Sequence, residues 1–322
     1  MTFDKSLFSP DAISPETRAA NERLRAAGAD AADWWVVGVI ATRGAAAAGQ
    51  GAFPRPEKSP RARTRMVPAT DREIAVRVIA PPKPSGVYLF LHGGGMVFGA
   101  ADVQDPMLER VVDQTGMACV SVEYRLAPEH PYPAAWDDCE AVAHWLADHA
   151  RAELGSDVLT IGGESAGAQL AVATLVRMRD RHGYTKFRGA NLVFGNYDVS
   201  MTPSQRTGVD GKNPLRVVSR ESLEQYARAY LPPGVDRRDP DVSPLYAKLD
   251  RMPPALLTVG TMDPHLDDSM FLYARWVAAG NDAELALYPG APHGFTAMAM
   301  PETKAANARC DQFLKRSVER AR

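Results

Sequence analysis

The chain has few cysteines, no long apolar run and no excess of charge of one sign. Its three cysteines, Cys119, Cys139 and Cys310, are odd in number and widely spaced, which argues against a disulfide framework or a cysteine-ligated zinc site. The apolar run "WWVVGVIA" at 34–41 is far shorter than the roughly 18 residues that indicate a membrane span. The 37 basic and 39 acidic residues nearly cancel, so no broad field favours nucleic acid or an anionic membrane.

What remains is an ordinary globular chain of 322 residues, of which 45% are hydrophobic. That composition supports a large buried core in one or two domains. The N-terminus carries acids and prolines, without the apolar segment that is typical of a signal peptide. Together with the sparse cysteines, this predicts a reducing, cytoplasmic location. We expect a small-molecule substrate, with no nucleic-acid partner, no stable membrane insertion and no metal site.

Short apolar runs that end at turn residues alternate with helical patterns along most of the chain. The predicted buried strands are 87–91, 117–122, 157–162, 190–195, 255–260 and 283–289, preceded by a half-buried strand around 74–78. The predicted helices include 15–27, 136–151, 166–180, 220–230 and 267–280. This alternation predicts an α/β fold, with a mostly parallel sheet covered by helices on both faces.

Two segments interrupt this alternation. The stretch from Gly44 to Pro60 is rich in alanine, glycine and proline and indicates a linker, so residues 1–50 are predicted to form a separate helical piece. A long excursion from Asn196 to Pro240 is unusual in a compact fold unless it forms a lid or a binding element. We therefore predict a helical cap made of residues 1–50 and of an insertion at about 197–240, on a catalytic domain of residues 51–322.

The pentapeptide "GESAG", Gly163–Gly167, stands between a predicted strand and a predicted helix. This is the setting of a G-x-S-x-G nucleophile elbow, in which small flanking residues let the backbone turn sharply and leave the serine projecting from the sheet. The helix start would offer the amide of Ala166 and a positive dipole to a developing oxyanion. A tight turn without chemistry is the alternative, but the strand and helix favour Ser165 as a nucleophile.

A glycine loop, "HGGG" at 92–95, follows the predicted strand 87–91 without an intervening residue. Consecutive glycines leave main-chain amides unobstructed, and ligand sites in open parallel sheets form at the carboxyl ends of strands. The loop is therefore predicted to complete an oxyanion hole with the amide of Ala166. A flexible turn is the alternative. We interpret His92 as a residue that orients this loop rather than as a base.

A serine nucleophile needs a base, and in a hydrolase of this pattern an acid and then a histidine follow the elbow in chain order. Asp263 and His293 each come directly after a predicted strand. In the predicted roles, the serine attacks an acyl carbonyl, His293 accepts and returns its proton, and Asp263 orients the imidazole. Asp267 and Asp268 are alternatives for the acid, but they fall in the following helix. His265 is an alternative base, but it precedes the last strand.

Five motifs occur in order along the chain: "HGGGMVFG", "VEYRLAPEHPYPAAWDD", "GGESAGAQLA", "DPHLDD" and "HGF". In this order they resemble the bacterial hormone-sensitive lipase family, which is family IV of the carboxylesterases. The resemblance covers roughly residues 60–320. It implies an α/β-hydrolase fold with a helical cap, hydrolysis of short to medium acyl-chain esters through an acyl-enzyme, and no cofactor. Position by position it implies the nucleophile Ser165, the acid Asp263, the base His293 and the oxyanion amides of Gly94, Gly95 and Ala166.

The substrate pocket is predicted from large apolar residues in the cap or beside the glycine loop. These residues are Trp34, Trp35, Met96, Phe98, Tyr197 and Met201. Plain core packing is the alternative, and for the paired tryptophans the two interpretations are equally favoured. At Met96 the chain departs from the resembling family, whose members often have an aromatic residue there.

Other functions on the same scaffold stay open at this point. An amidase or an arylformamidase would use the same triad and oxyanion hole on a C–N bond, and sequence alone does not exclude it. A non-catalytic ligand receptor on this fold is a further alternative, but receptors of this kind lose the catalytic histidine, whereas His293 is present. An exposed edge strand could also pair two chains into a homodimer.

Overall fold

The computed structural model describes residues 4–28, 32–50, 55–207 and 218–319. Its centre is an eight-stranded sheet with the strand order β1-β2-β4-β3-β5-β6-β7-β8. The strands are β1 (Arg63–Pro68), β2 (Glu73–Ile79), β3 (Val87–Leu91), β4 (Ala118–Val122), β5 (Leu159–Glu164), β6 (Ala190–Val193), β7 (Ala255–Gly260) and β8 (Ala283–Tyr288).

All neighbouring strands from β4 to β8 in this order pair in parallel, whereas β2 is antiparallel to both β1 and β4. Every residue of β3, β4, β6 and β7 is buried, as expected for strands covered on both faces. The predicted mostly parallel sheet is thus confirmed. The edge strand β1 is not among the strands predicted from the sequence, because its basic and exposed residues give no apolar alternation.

Ten helices are described along the chain. They are α1 (Pro15–Gly28), α2 (Trp34–Val37), α3 (Val39–Ala47), α4 (Asp105–Thr115), α5 (Ala134–Leu154), α6 (Ala166–His182), α7 (Pro203–Thr207), α8 (Arg220–Tyr230), α9 (Leu266–Ala278) and α10 (Thr303–Glu319). Within the described ranges, none of them combines the length and the apolar composition that crossing a bilayer requires.

Successive side chains of β3 show how helices cover both faces of the sheet. Leu89 and Leu91 belong to the main hydrophobic core, together with buried residues of α5 and α6. Tyr88 and Phe90 belong to a second cluster with buried residues of α4 and α10. Because alternate residues of a strand point to opposite faces, the two clusters lie on opposite sides of the sheet. The predicted three-layer arrangement is therefore present.

The segments predicted as a cap contain helices where they are described, and we call these segments the proposed cap. Helix α3 continues to Ala47, so the prediction that a linker begins at Gly44 is wrong: the run of alanines that follows favours continuation of the helix. In the insertion at 197–240, α8 has the predicted bounds. Residues 208–217 of this insertion lie outside the described residues.

Candidate active site

The turn between β5 and α6 consists of a single residue, Ser165. Its backbone has φ 56° and ψ −122°, a region that non-glycine residues adopt at a cost and that is often associated with functional sites. Close packing enforces the turn. A Cβ on Gly167 would lie 1.9 Å from the carbonyl oxygen of Leu91, and one on Gly163 would lie 2.4 Å from the carbonyl carbon of Gly167. The small residues of "GESAG" are therefore required by backbone contacts.

A continuous hydrogen-bond chain connects Ser165, His293 and Asp263. The serine Oγ lies 2.9 Å from Nε2 of the imidazole, and Nδ1 lies 2.9 Å from Oδ2 and 3.1 Å from Oδ1 of the carboxylate. Asp263 is fully buried and His293 is 8% exposed. With Nδ1 protonated and donating to the carboxylate, Nε2 is free to accept the serine hydroxyl proton. The structure thus brings together the three side chains that the sequence analysis selected.

The loops that carry the acid and the histidine are held by contacts at the ends of β7 and β8. A Cβ on Gly260, the last residue of β7, would lie 1.9 Å from the carbonyl oxygen of Ala291. One oxygen of Asp263 also accepts a hydrogen bond from the backbone amide of His265 at 2.8 Å. The ring of Phe194 packs edge to face against His293, with 4.8 Å between the ring centroids. These contacts fix the imidazole beside the serine.

The glycine loop turns through three consecutive residues with positive φ, at 117° for Gly94, 63° for Gly95 and 57° for Met96. The amides of Val97 and Phe98 both donate to the carbonyl of Gly94. Among the described residues, no acceptor takes a hydrogen bond from the amides of Gly94, Gly95 or Ala166. These three donors are thus available to an oxygen atom of a bound molecule.

His92 is buried, and its imidazole ring contacts the backbone of the glycine loop. Its Nδ1 lies 2.8 Å from the carbonyl oxygen of Gly93, and the ring stacks on Tyr124 with 4.0 Å between centroids. The Tyr124 hydroxyl in turn donates to the His92 carbonyl at 2.7 Å. Burial lowers the pKa of His92 to about 4, so the ring is neutral at pH 7. This agrees with its interpretation as an orienting residue.

Comparison with known proteins matches this architecture to hydrolases. A family model described as the alpha/beta hydrolase fold matches residues 88–297. An acetyl esterase of Salmonella choleraesuis is 31% identical over 241 residues, which cover 72% of each chain. A solved esterase from the bacterial hormone-sensitive lipase family is 29% identical with a TM-score of 0.78, and the similarity covers 95% of this chain and 99% of that one. The esterase EstE5 is 27% identical with a TM-score of 0.80 over the same shares.

The chain belongs to the hormone-sensitive lipase family of α/β-hydrolases. It is an esterase, a hydrolase of carboxylic esters. Among the described residues, no group of three or more histidine, cysteine, aspartate or glutamate side chains could hold a metal ion. The cysteines Cys119, Cys139 and Cys310 are buried and free, and burial raises the pKa of each thiol.

In the esterase, the three residues that were alternatives for the acid and base roles, Asp267, Asp268 and His265, form hydrogen bonds to the insertion at 197–240. The Asp268 carboxylate accepts hydrogen bonds from the Thr202 hydroxyl and from two backbone amides at the start of the insertion. Asp267 accepts a backbone amide of α7 at 2.8 Å. The side chain of Gln205 donates to Nδ1 of His265 at 2.9 Å. Burial lowers the pKa of His265 to about 3, so a neutral ring lies 5.1 Å from that of His293.

An aromatic cluster of the proposed cap covers the glycine loop. The rings of Trp34 and Phe98 lie 5.3 Å apart, and Tyr226 of α8 lies 5.0 Å from Trp34. A Cβ on Gly95 would be 2.4 Å from the Tyr226 ring, so this ring packs directly on the loop. Trp35 touches the cluster through the edge of Trp34. Tyr226 is not among the predicted pocket residues, because a position on a distant helix carries no sign of such a contact.

The other predicted pocket residues lie elsewhere. Met96 is 2% exposed and Tyr197 is fully buried, both within the main hydrophobic core. Met201 packs in a small cluster with Val218 and Leu223 of the insertion. The aromatic cluster therefore contains half of the six predicted residues, and the lining of the pocket stays a prediction.

Glu164, the variable residue of "GESAG", reaches the histidine loop. The hydroxyl of Thr296 donates to its Oε1 at 3.0 Å, and burial raises the pKa of the carboxyl. Since Glu164 directly precedes Ser165 and Thr296 lies three residues after His293, this bond joins the backbone segments that carry these two side chains.

Proposed function

We propose that the esterase cleaves esters of short to medium acyl chains through an acyl-enzyme on Ser165, with His293 as the general base and acid and Asp263 as its partner. The hydrogen-bond chain from the Ser165 hydroxyl through the imidazole to the carboxylate carries this proposal. The distances fall within the range at which a base can take the proton of a nucleophile. No cofactor enters the proposed reaction.

In the first half of the reaction, Oγ of Ser165 bonds to the acyl carbon while its proton passes to Nε2 of His293. The carbonyl π electrons move to oxygen, and the tetrahedral intermediate collapses when the imidazolium protonates the departing alkoxide. In the second half, water attacks the acyl-serine and gives a proton to the same nitrogen. Collapse then releases the carboxylic acid and returns the proton to Ser165. Asp263 stabilises the imidazolium in both halves.

The negative oxygen of each tetrahedral intermediate would accept hydrogen bonds from Gly94, Gly95 and Ala166. These amides have no acceptor among the described residues, and Ala166 is the first residue of a 17-residue helix whose dipole favours negative charge there. Removing one such donor typically costs about 10²–10³ in kcat. The amides therefore belong to the proposed machinery along with the three side chains.

Three observations support short to medium acyl chains. The Salmonella relative is named an acetyl esterase, and crystals of EstE5 were soaked with p-nitrophenyl butyrate. In addition, the cluster of Trp34, Phe98 and Tyr226 packs directly on the glycine loop. Bulky rings next to the proposed oxyanion donors would limit the space for a long chain.

Labelling and an ester panel test the proposal together. A fluorophosphonate is expected to modify Ser165, located by tryptic mapping, and the Ser165→Ala variant should not be labelled. On p-nitrophenyl esters of two to sixteen carbons, kcat/KM should be highest in the short to medium range. An adduct on another residue would overturn the nucleophile, and a maximum at long chains would overturn the substrate class. Matched anilides test C–N cleavage, which should be far slower.

A cytoplasmic location and a homodimer remain predictions. The strands β1 and β8 form the two edges of the sheet, so an exposed edge is available for pairing. Cell fractionation would test the first, and light scattering of the purified protein the second.

A further inference from the structure

Arg43 lies on α3 of the proposed cap. All three of its guanidinium nitrogens donate hydrogen bonds to the part of the esterase outside the proposed cap, which we call the body. Its Nε donates to the carbonyl of Val97 at 2.9 Å, and one terminal nitrogen donates to the carbonyl of Ala127. The other terminal nitrogen donates to both carboxylate oxygens of Glu129, at 2.8 and 2.9 Å. The side chain is 27% exposed. Three acceptors on two loops fix the planar group in a single orientation.

The two carbonyl acceptors belong to loops that meet at the proposed oxyanion donors. Val97 lies in the turn whose amides, at Val97 and Phe98, donate to the carbonyl of Gly94 at 3.0 and 2.8 Å. The amide of Ala127 donates to the carbonyl of Met96 at 2.8 Å. Arg43 therefore binds the glycine turn and the loop of Ala127 at the place where these two segments contact each other.

The glycine turn needs such external support because Met96 holds a backbone conformation that is costly for a residue with a side chain. Gly94, Gly95 and Met96 have positive φ in succession, and a non-glycine residue such as Met96 adopts this region only at a cost. Backbone of this kind persists when the surrounding structure over-determines it. The hydrogen bond from Arg43 to Val97 is one such constraint, and it comes from a segment far away in sequence.

We propose that Arg43 is a positioning residue for the oxyanion amides: through Val97 and Ala127 it holds Gly94 and Gly95 where they meet a developing negative charge. This inference rests on the proposed function, since it takes these amides as donors to the tetrahedral intermediate. Lysine cannot replace Arg43 in this role, because one ammonium on a flexible stem cannot satisfy three acceptors in the geometry of a fork. The proposed cap then contributes to the chemical step as well as to substrate selection.

The test compares Arg43→Lys and Arg43→Gln with the wild-type protein and with Arg65→Lys. Arg65 lies on the edge strand β1 and forms a surface ion pair with Glu153 of α5. It therefore serves as a matched arginine away from the candidate active site. Three quantities are measured: kcat and KM on p-nitrophenyl butyrate, inhibition by an alkyl trifluoromethyl ketone, and the thermal midpoint. Addition of Ser165 Oγ to this ketone forms a hemiketal oxyanion, while the serine proton goes to His293. The inhibition constant therefore reports oxyanion stabilisation.

Both Arg43 variants are expected to lower kcat about ten- to a hundredfold, since small displacements of positioned groups cost this much. KM should stay within about threefold, and the ketone should bind more weakly by a factor that parallels the loss in kcat/KM. Arg65→Lys should match the wild type. The thermal midpoint shows whether each variant is folded; in a folded variant, an unchanged kcat, or a raised KM with unchanged ketone binding, would overturn the proposal. Failure of the wild-type protein to form the Ser165 adduct would instead overturn the proposed function itself.

Discussion

The strand ends of the esterase body and the proposed cap hold their residues in different ways. In the body, backbone contacts leave no room for a side chain at Gly167 or Gly260, and Asp263 is fully buried. In the cap, Val36 is 76% and Ile40 81% exposed, and α2 has only four residues. The body therefore fixes the geometry of the proposed reacting groups, whereas exposed positions of the proposed cap such as Val36 and Ile40 are free to vary.

The cap nevertheless reaches the body through a few specific polar contacts. Arg43 binds the loops beside the proposed oxyanion donors, and Gln205 binds His265, whose ring packs against that of His293. Asn21 of α1 donates to the carbonyl of Gly290 at 2.8 Å, in the loop that leads to the histidine. Changes in the body and at these polar contacts should therefore affect all esters alike, whereas changes elsewhere in the proposed cap should alter their ranking.

The largest effect is expected from His293→Ala. Without the imidazole, the serine loses its base and the leaving group its acid, so kcat should fall by about four to six orders of magnitude on every ester of the panel. Steady-state kinetics on p-nitrophenyl acetate and octanoate measure this. His149→Ala, which changes an exposed histidine stacked on Trp145, should leave kcat unchanged. If kcat fell for esters of only one chain length, the claim that the body acts on all esters alike and the proposed cap sets their ranking would be wrong.

The strand-to-helix elbow and the order of acid and base could be predicted because their signals lie in short stretches of the sequence. Gly163 and Gly167 stand two residues on either side of Ser165 in the sequence, although the contact that excludes a side chain at Gly167 is with the carbonyl of Leu91 on β3. Parallel strands bring their carboxyl ends to one edge. The helix α8 was predicted with the bounds that the structure has. Local propensity and strand order thus carried most of the fold and the three central side chains.

The contacts of the cap could not be predicted, because they join residues far apart in sequence through geometry alone. Nothing at Tyr226 or Arg43 indicates that one packs on Gly95 and the other binds Val97. Similarly, Asp268 matched the residue type of a catalytic acid, and only the structure shows its carboxylate holding the insertion. Residue type suggests what a side chain can do, but its neighbours decide what it does.

A smaller effect, on stability rather than turnover, is expected from His92→Asn. The folded pKa of His92, about 4, lies below the unfolded value of 6.5. Between these two pKa values the unfolded chain therefore binds more protons at His92 than the folded protein does. The contribution of neutral His92 to the free energy of unfolding is thus fully present above pH 6.5 and is lost as the pH falls towards 4. This linkage amounts to about 3 kcal/mol between pH 7 and 4. Asparagine can still donate to the Gly93 carbonyl but does not titrate.

Urea unfolding of the two proteins at several pH values measures this linkage as a difference, which cancels the titration of all other groups. The free energy of unfolding of the wild type minus that of His92→Asn should be constant above pH 7 and fall by about 3 kcal/mol by pH 4. Parallel stability curves would show that His92 is not held neutral by burial. The buried contacts of His92 with Gly93 and Tyr124 would then support the glycine loop less than the structure indicates.

The smallest effect, and the one specific to the cap, is expected from Tyr226→Ala. Its ring packs on Gly95, whose amide is a proposed oxyanion donor, and we therefore expect it to border the acyl chain of a bound ester. Removing the ring should raise kcat/KM for octanoate relative to acetate by about tenfold, equivalent to about 1.4 kcal/mol, while acetate turnover changes by only a few fold. Tyr226→Phe keeps the ring and should retain the wild-type ranking. If Tyr226→Ala instead lowered turnover equally on both esters, α8 would support the reacting groups themselves, and the division between a fixed body and a selective cap would not hold there.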